Sequence, residues 1–440
     1  MLNRRKFVAG SLAGMALAPQ SIARASVSPN DRVSIAAIGL RGRGNSVLRA
    51  FAAQPGVDIR YVVDVDESVR ENRANEIRDL KKKRPAPLTD FRKALDDPAV
   101  DAILLGTPTH WHAHPTIMAC QAGKDVYCEK PDAHNILEGR AMVAAGQKYQ
   151  RVIQLGTQSR SGQHFQDAIK YIAEGNLGKV LFAKAWESTR QRSLGKPADR
   201  TPPPGVDYDL WLGPAPKRPF NPLRFHGNWR WFFDYGAGDL GNDGVHRLDV
   251  ARWALETALR AQGKTPLGPV QSVSAHGGKA YFDDLQQWPD NLMCTYDFGR
   301  GRILTYEMRI WSPYAMLEES EGAAVFGDQG YIVIGNSRWR AFGPKNRLLK
   351  EGKGSYDNTG SHVANFLHCM KTREKPRADL ETIGHPSSLL CHLGNAAWRA
   401  GRSLRFDSSS YRFQGDPEAE KWMTREEYRK PWALPALNQI

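Results

Sequence analysis

The feature that most restricts how this chain can fold is a short apolar run that breaks into a cluster of glycines. Val33-Ser34-Ile35-Ala36-Ala37-Ile38 reads as a buried strand and runs straight into Gly39-Leu40-Arg41-Gly42-Arg43-Gly44, with a helix expected over about 46–54. Strand, glycine-rich turn and helix in succession leave backbone N–H groups and a helix N-terminus facing outward, an arrangement that receives a pyrophosphate. Glycine is needed where a side chain would collide with the phosphates. The spacing departs from G-x-G-x-x-G, because Arg41 stands where the second glycine belongs and Gly42 follows one place later.

The next segments repeat the unit. A second strand, 58–63, ends in Asp64-Val65-Asp66, and further strands at 101–105, 125–128 and 152–155 alternate with helices near 115–123 and 136–149. Such alternation implies a doubly wound parallel sheet. An acid at the tip of the second strand accepts hydrogen bonds from ribose hydroxyls and repels a 2′-phosphate. Asp64 therefore favours NAD over NADP, with Arg41 and Arg43 still within reach of a phosphate.

After strand four comes Gly106-Thr107-Pro108-Thr109-His110-Trp111-His112, and after strand five Glu129-Lys130-Pro131. Gly175-Asn176-Leu177-Gly178-Lys179-Val180 and the stretch from Gly236 to Asp249 complete a set that resembles the Gfo/Idh/MocA oxidoreductases over most of the chain. The resemblance implies a Rossmann domain over 32–157. An α/β domain with an open, largely antiparallel sheet would follow over 158–415, and a C-terminal tail over 416–440. It implies a catalytic pair. Lys130 would polarise the reacting oxygen as a positioned cation, and His246 would carry the hydroxyl proton. Cofactor contacts would come from Gly39, Arg41, Gly42, Arg43, Gly44, Asp64, Thr107, Pro108, His112, Glu129 and Lys130. Substrate contacts would come from Arg160, Trp229, Trp231, Asn242, Asp243 and Asp249. The family places Asp four residues before the histidine; this chain has Asn242, with Asp243 one place later.

Composition removes several alternatives. With 41% apolar and 25% charged residues over 440 positions, the chain can build cores, and wholesale disorder is excluded. The formal charge of +14 is spread along the chain, with four positive charges and no acid in residues 1–25. Without a binding motif this diffuse excess does not indicate a nucleic-acid partner. Five cysteines with no C-x-x-C pair indicate neither a zinc ribbon nor a disulfide framework. His110, His112 and His114 alternate, but they lie in a turn entering a helix, and no metal is expected there. Asn3-Arg4-Arg5-Lys6 followed by an uncharged run and Ala23-Arg24-Ala25 reads as a cleaved twin-arginine signal over 1–25. The expected location is therefore periplasmic or otherwise exported, with the twin-arginine translocation machinery as a partner.

A polar, proline-rich excursion over about 188–221 reads as a lid or arm. It leads into an aromatic segment, 224–235, that suits stacking on sugar faces. Strands are expected near 292–298, 301–309 and 323–327, and a helix over 387–400. One face of the sheet is expected to support a homo-oligomer, an implication of the resemblance. The chemistry it implies is hydride transfer between nicotinamide and the carbinol carbon of a sugar, cyclitol or glycoside. Export would require the cofactor to stay tightly bound and be regenerated in place. One route is sugar oxidoreduction. The alternative is an NAD-dependent glycosidase that oxidises C3 transiently, eliminates the aglycone and then reduces the product.

Overall fold

The computed structural model describes residues 32–440, so the signal-peptide expectation falls outside the described residues. The first half alternates strand and helix: β1 (Val33–Ile38), α1 (Gly42–Ala53), β2 (Val57–Val63), α2 (Glu67–Lys81), β3 (Ala86–Leu88), α3 (Arg92–Leu95), β4 (Ala102–Leu105), α4 (Ala113–Gln121), β5 (Asp125–Cys128), α5 (Ile136–Lys148) and β6 (Ile153–Leu155). All pairings are parallel, in the order β3-β2-β1-β4-β5-β6. β4 and β5 are buried at every position, as strands covered on both faces must be. Strand order reverses between β1 and β4, which opens a crevice at their carboxyl ends.

The second half begins with α6 (Gln163–Ala173), β7 (Val180–Ser188), α7 (Tyr208–Leu212) and α8 (Val245–Ala261). It continues with β8 (Ser272–Gly278), β9 (Asn291–Asp297), β10 (Ile303–Arg309), β11 (Glu321–Gly327), β12 (Tyr331–Gly335), β13 (Arg338–Phe342) and β14 (Leu348–Lys353). The last elements are α9 (Thr359–Thr372), α10 (His385–Ala400), β15 (Leu404–Asp407) and β16 (Arg412–Phe413). The second sheet runs β14-β13-β12-β11-β7-β10-β9-β8-β15-β16 and is antiparallel except where β10 meets β7. β9 and β10 alternate buried and half-exposed residues with period two, so one face of the sheet is packed and the other is open. Val245, Leu248, Ala251, Leu255 and Leu259 recur at helical spacing on α8 and join the core beneath the sheet.

Two long-range returns were not legible in the periodicity. α9 comes back to cover α1: Phe366 packs edge-to-face on Phe51, with centroids 6.0 Å apart, and Phe51 packs on Tyr127 of β5. Past residue 416 the chain also packs inward, with Trp432 and Ile440 buried against the first domain and the Trp432 ring 4.6 Å from that of Trp111. The five cysteines are free and buried. Among the described residues no helix is long and apolar enough to cross a membrane.

Candidate active site

The crevice at the strand reversal is a groove of about 480 Å³, bordered by Gly39 to Gly44, Asp64, Thr107 and Pro108 on one side and by Trp211, His226, Trp229, Arg230 and Asn242 on the other. Its glycines answer different demands. A Cβ on Gly39, where φ is +78°, would fall 2.5 Å from the Thr107 amide nitrogen, and one on Gly44 would meet the Gly39 carbonyl oxygen. Gly42 has a φ of +40°, which itself favours glycine, and a Cβ there would meet nothing within 4 Å. α1 begins at Gly42, earlier than the sequence pattern suggested. No side chain caps it and its first turn carries no acid, so its first amides remain available to an anion. These features suit the diphosphate of a dinucleotide.

Asp64 stands at the tip of β2 and accepts from the amides of Leu40 (2.8 Å) and Asp66 (3.0 Å). Desolvation by the groove walls outweighs those bonds and pushes its carboxyl up to about 6. A carboxylate has capacity beyond two amides, so ribose hydroxyls can still be accepted. Arg43 points partly away from the groove: its Nε donates to Glu129 (2.8 Å) and its Nη1 to Thr359 Oγ1 (2.8 Å). Glu129 thus braces Arg43 rather than facing the groove. His112 lies buried beneath it, with Nδ1 2.8 Å from the Pro131 carbonyl oxygen and Nε2 3.0 Å from that of Thr107. It ties the strand-four loop to the strand-five loop.

At the inner end, Lys130 Nζ donates to Asn242 through both the backbone oxygen (2.5 Å) and Oδ1 (3.1 Å). Lys130 is half-buried, so the third ammonium hydrogen is free of Asn242. His246 is 8% exposed, and its Nδ1 is buried without a hydrogen-bond partner. Burial first, then the charges of Lys130, Arg247 and Arg43, hold its imidazole well below the usual histidine range, so it is neutral at physiological pH. A cation and a neutral base therefore lie near enough for the charge of Lys130 to act on the imidazole of His246.

The two halves also match known proteins. Residues 33–157 fit the oxidoreductase-family NAD-binding Rossmann fold, and residues 194–434 fit that family's C-terminal alpha/beta domain. The chain belongs to the Gfo/Idh/MocA oxidoreductase family. A levoglucosan dehydrogenase from Pseudarthrobacter phenanthrenivorans is 27% identical over 235 residues, 50% of this chain and 52% of that one. A glycosyl hydrolase family 109 protein from Saccharopolyspora erythraea is 32% identical over 158 residues, 35% of this chain and 34% of that one. The chain thus spans about half the length of the first relative and about a third of the second. The solved aldose-aldose oxidoreductase from Caulobacter crescentus superposes with a TM-score of 0.64 at 19% identity, covering 85% of this chain and 100% of that one. That likeness establishes the fold.

Within this Gfo/Idh/MocA frame, several expected substrate contacts are placed elsewhere. Trp231 lies in the hydrophobic core at 2% exposure, while its neighbours Trp229 and Arg230 border the groove. Arg160 and Asp249 satisfy each other in a buried bidentate pair, with Nε 2.9 Å from Oδ2 and Nη2 2.9 Å from Oδ1, and Ser387 adds a hydrogen bond to Asp249 at 2.7 Å. Asp249 is thus taken up by Arg160 and Ser387 and makes no bond to the unpartnered Nδ1 of His246. Asp243, beside Asn242, belongs to a carboxylate group with Glu187 and Asp239. The histidines at 110, 112 and 114 diverge: His110 reaches the Trp211 carbonyl, His114 that of Trp432, and His112 the two loops already described.

Sequence reasoning missed a clasp at the outer end of the groove. Glu67 donates its amide to Gly205, and Asp207 its amide to Val65, both at 3.0 Å. His226 Nε2–H, neutral because burial and Arg41 push it down to about 4, donates to Asp66 Oδ2 at 2.9 Å. The proline-rich excursion is thus fastened by backbone hydrogen bonds to the strand tip that carries Asp64. Only the length and irregularity of that excursion hinted at it.

Proposed function

We propose that this protein is an exported oxidoreductase that keeps NAD tightly bound and transfers hydride between it and a carbinol carbon of a sugar, cyclitol or glycoside. The observation that carries this reading is the glycine-turn groove itself, whose far side includes Asn242, the residue that receives the Lys130 ammonium. Bound nicotinamide supplies the hydride acceptor. The remaining hydrogen of the Lys130 ammonium would meet the substrate oxygen, where negative charge develops during oxidation. His246, held neutral, receives the hydroxyl proton and returns it in the reverse direction. Trp229 and Arg230 border the same groove and offer an aromatic face and a donor to a polyhydroxylated ring. The dehydrogenase relative points to the same substrate class.

Tight retention is supported by the clasp. With 204–207 and His226 fastened to the tip of β2, release of a dinucleotide requires breaking several hydrogen bonds outside its own contacts. NAD is preferred because Asp64 would face a 2′-phosphate. Export rests on the twin-arginine pattern.

A second reading, a glycosidase that oxidises and re-reduces its substrate within one turnover, is favoured by the glycosyl hydrolase family 109 relative. The test begins with protein recovered from the exported fraction, unfolded and examined by mass spectrometry for released dinucleotide. NAD is expected; recovery of neither NAD nor NADP overturns the retained-cofactor reading. A panel of sugars and glycosides is then supplied without added cofactor. Ketosugar or lactone accumulation supports the oxidoreductase, whereas aglycone release with no net oxidation supports the glycosidase.

A further inference from the structure

Behind Asn242 lies a group that neither the family chemistry nor the cofactor accounts for. The end of β7 and the π-helical turn Leu240–Gly244 bring Glu187, Asp239 and Asp243 together, with one carboxylate oxygen of each within 4.8 Å of the others. Glu187 is wholly buried and Asp239 is 1% exposed. Tyr306 donates its hydroxyl to Glu187 at 3.3 Å. Asn242 Nδ2 donates to Asp239 Oδ1 and to Asp243 Oδ2, each at 3.0 Å. Asp239 Oδ2 is buried without a partner. Crowding so many acids in a dry pocket is unfavourable: burial and mutual repulsion raise both Glu187 and Asp239 above the usual carboxylate range.

The arrangement has one geometric consequence. A primary amide has a donor end and an acceptor end, and ionised carboxylates only accept. With its NH2 group committed to two carboxylates, Asn242 must turn Oδ1 the other way, and there it meets Lys130 Nζ. The backbone oxygen of the same residue takes a second ammonium hydrogen. An aspartate at position 242 could not serve here, since it would set a fourth carboxylate against two others at about hydrogen-bond distance and would have to hold a proton.

We propose that Asp239 and Asp243 are positioning residues that, through the amide of Asn242, aim the Lys130 ammonium so that its remaining hydrogen faces the reacting oxygen. This rests on the reading of Lys130 as the polarising cation. It explains how the chain can depart from the family pattern at 242 with an acid beside it at 243. It also explains why an unfavourable cluster of acids persists next to the reaction centre, as expected where stability is traded for function.

The test uses the holoprotein and three variants, Asp239→Ala, Asp243→Ala and Asn242→Ala. The first readout needs no substrate: the rate at which an amine-reactive reagent, trinitrobenzenesulfonate, modifies Lys130, followed by peptide mass spectrometry. All three variants are expected to speed modification about threefold or more, the size of losing roughly one hydrogen bond. The second readout is the unfolding temperature, expected to hold or rise in Asp239→Ala and Asp243→Ala because repulsion is relieved. The third is turnover of a sugar that the wild type oxidises, with kcat falling about tenfold and KM changing little. Unchanged Lys130 modification in all three variants overturns the proposal. So does an unfolding temperature that falls in step with activity, which is what a merely structural role produces. If the wild type oxidises no member of the panel, the functional reading fails on its own, and the modification rates still decide the positioning role.

Discussion

Asp64 ties cofactor affinity to pH in a way that can be worked out from its surroundings. Its carboxyl titrates at about 6, pushed there by desolvation despite the amides of Leu40 and Asp66. Ribose hydroxyls donate to it and favour the ionised form, so bound dinucleotide lowers that value and binding below it releases a proton. Affinity is then constant above about pH 6 and weakens as the pH falls, by up to tenfold at about pH 5, or about 1.4 kcal/mol. The sign for folding is opposite. A carboxyl raised above its unfolded value contributes stability that is full below about pH 4 and lost as the pH rises through about 6. This contribution is at most about 3 kcal/mol, and less where the groove admits water and screens the charge. Apoprotein, prepared by unfolding and refolding, is therefore expected to lose stability over the same interval in which it gains affinity. Calorimetric titration with NAD at about pH 5, 6 and 7.5, in buffers of different ionisation enthalpy, measures both the affinity and the released proton. Asp64→Asn should flatten both dependences and narrow the preference for NAD over NADP. A dissociation constant that does not change between about pH 5 and 7, or an Asp64→Asn protein that keeps the wild-type pH dependence, refutes the reasoning.

Lys130→Met keeps the side-chain stem and removes the cation; kcat should fall by about 10²–10³, with the unfolding temperature little changed because among the described residues the ammonium bonds only Asn242. A loss below about tenfold under saturating substrate contradicts its role. Asp249→Ala should cost about 3–5 kcal/mol in urea unfolding by stranding a buried guanidinium, while Arg160→Met with Asp249→Leu should recover much of that. A large KM change in the double variant, with stability intact, would instead make the pair a substrate contact. His226→Ala removes the side-chain bond of the clasp and should speed release of bound dinucleotide about tenfold, measured by chasing labelled NAD with excess unlabelled cofactor; an unchanged release rate argues against the clasp.

Much of the architecture was legible because short-range patterns suffice for it. A buried strand, a turn that tolerates no Cβ and a following helix are local facts, and they located the groove, Asp64 and the first sheet. The tripeptide Glu129-Lys130-Pro131 and the segment ending at Asp249 supplied, through family resemblance, the two residues proposed as the catalytic pair. The same reasoning set Trp231 at the site although it lies in the core, and did not foresee that Arg160 and Asp249 pair with each other, because an aromatic or charged residue carries no local mark of whether it faces a cleft or a partner. It also started α1 late, at Ser46 rather than Gly42, since two glycines and an arginine look like turn rather than helix.

By itself, then, the order of residues determined the alternation of elements and the chemistry available at each strand end. Tertiary structure decided which of those groups meet. Arg43 turns from the groove to Glu129 and Thr359, Asn242 faces Lys130 because two carboxylates hold its other end, and residues 204–207 pair with the tip of β2. The partners of Arg43 and Lys130 lie 86 to 316 positions away in the chain, and saturation of a donor or acceptor by a distant group leaves no trace in local periodicity.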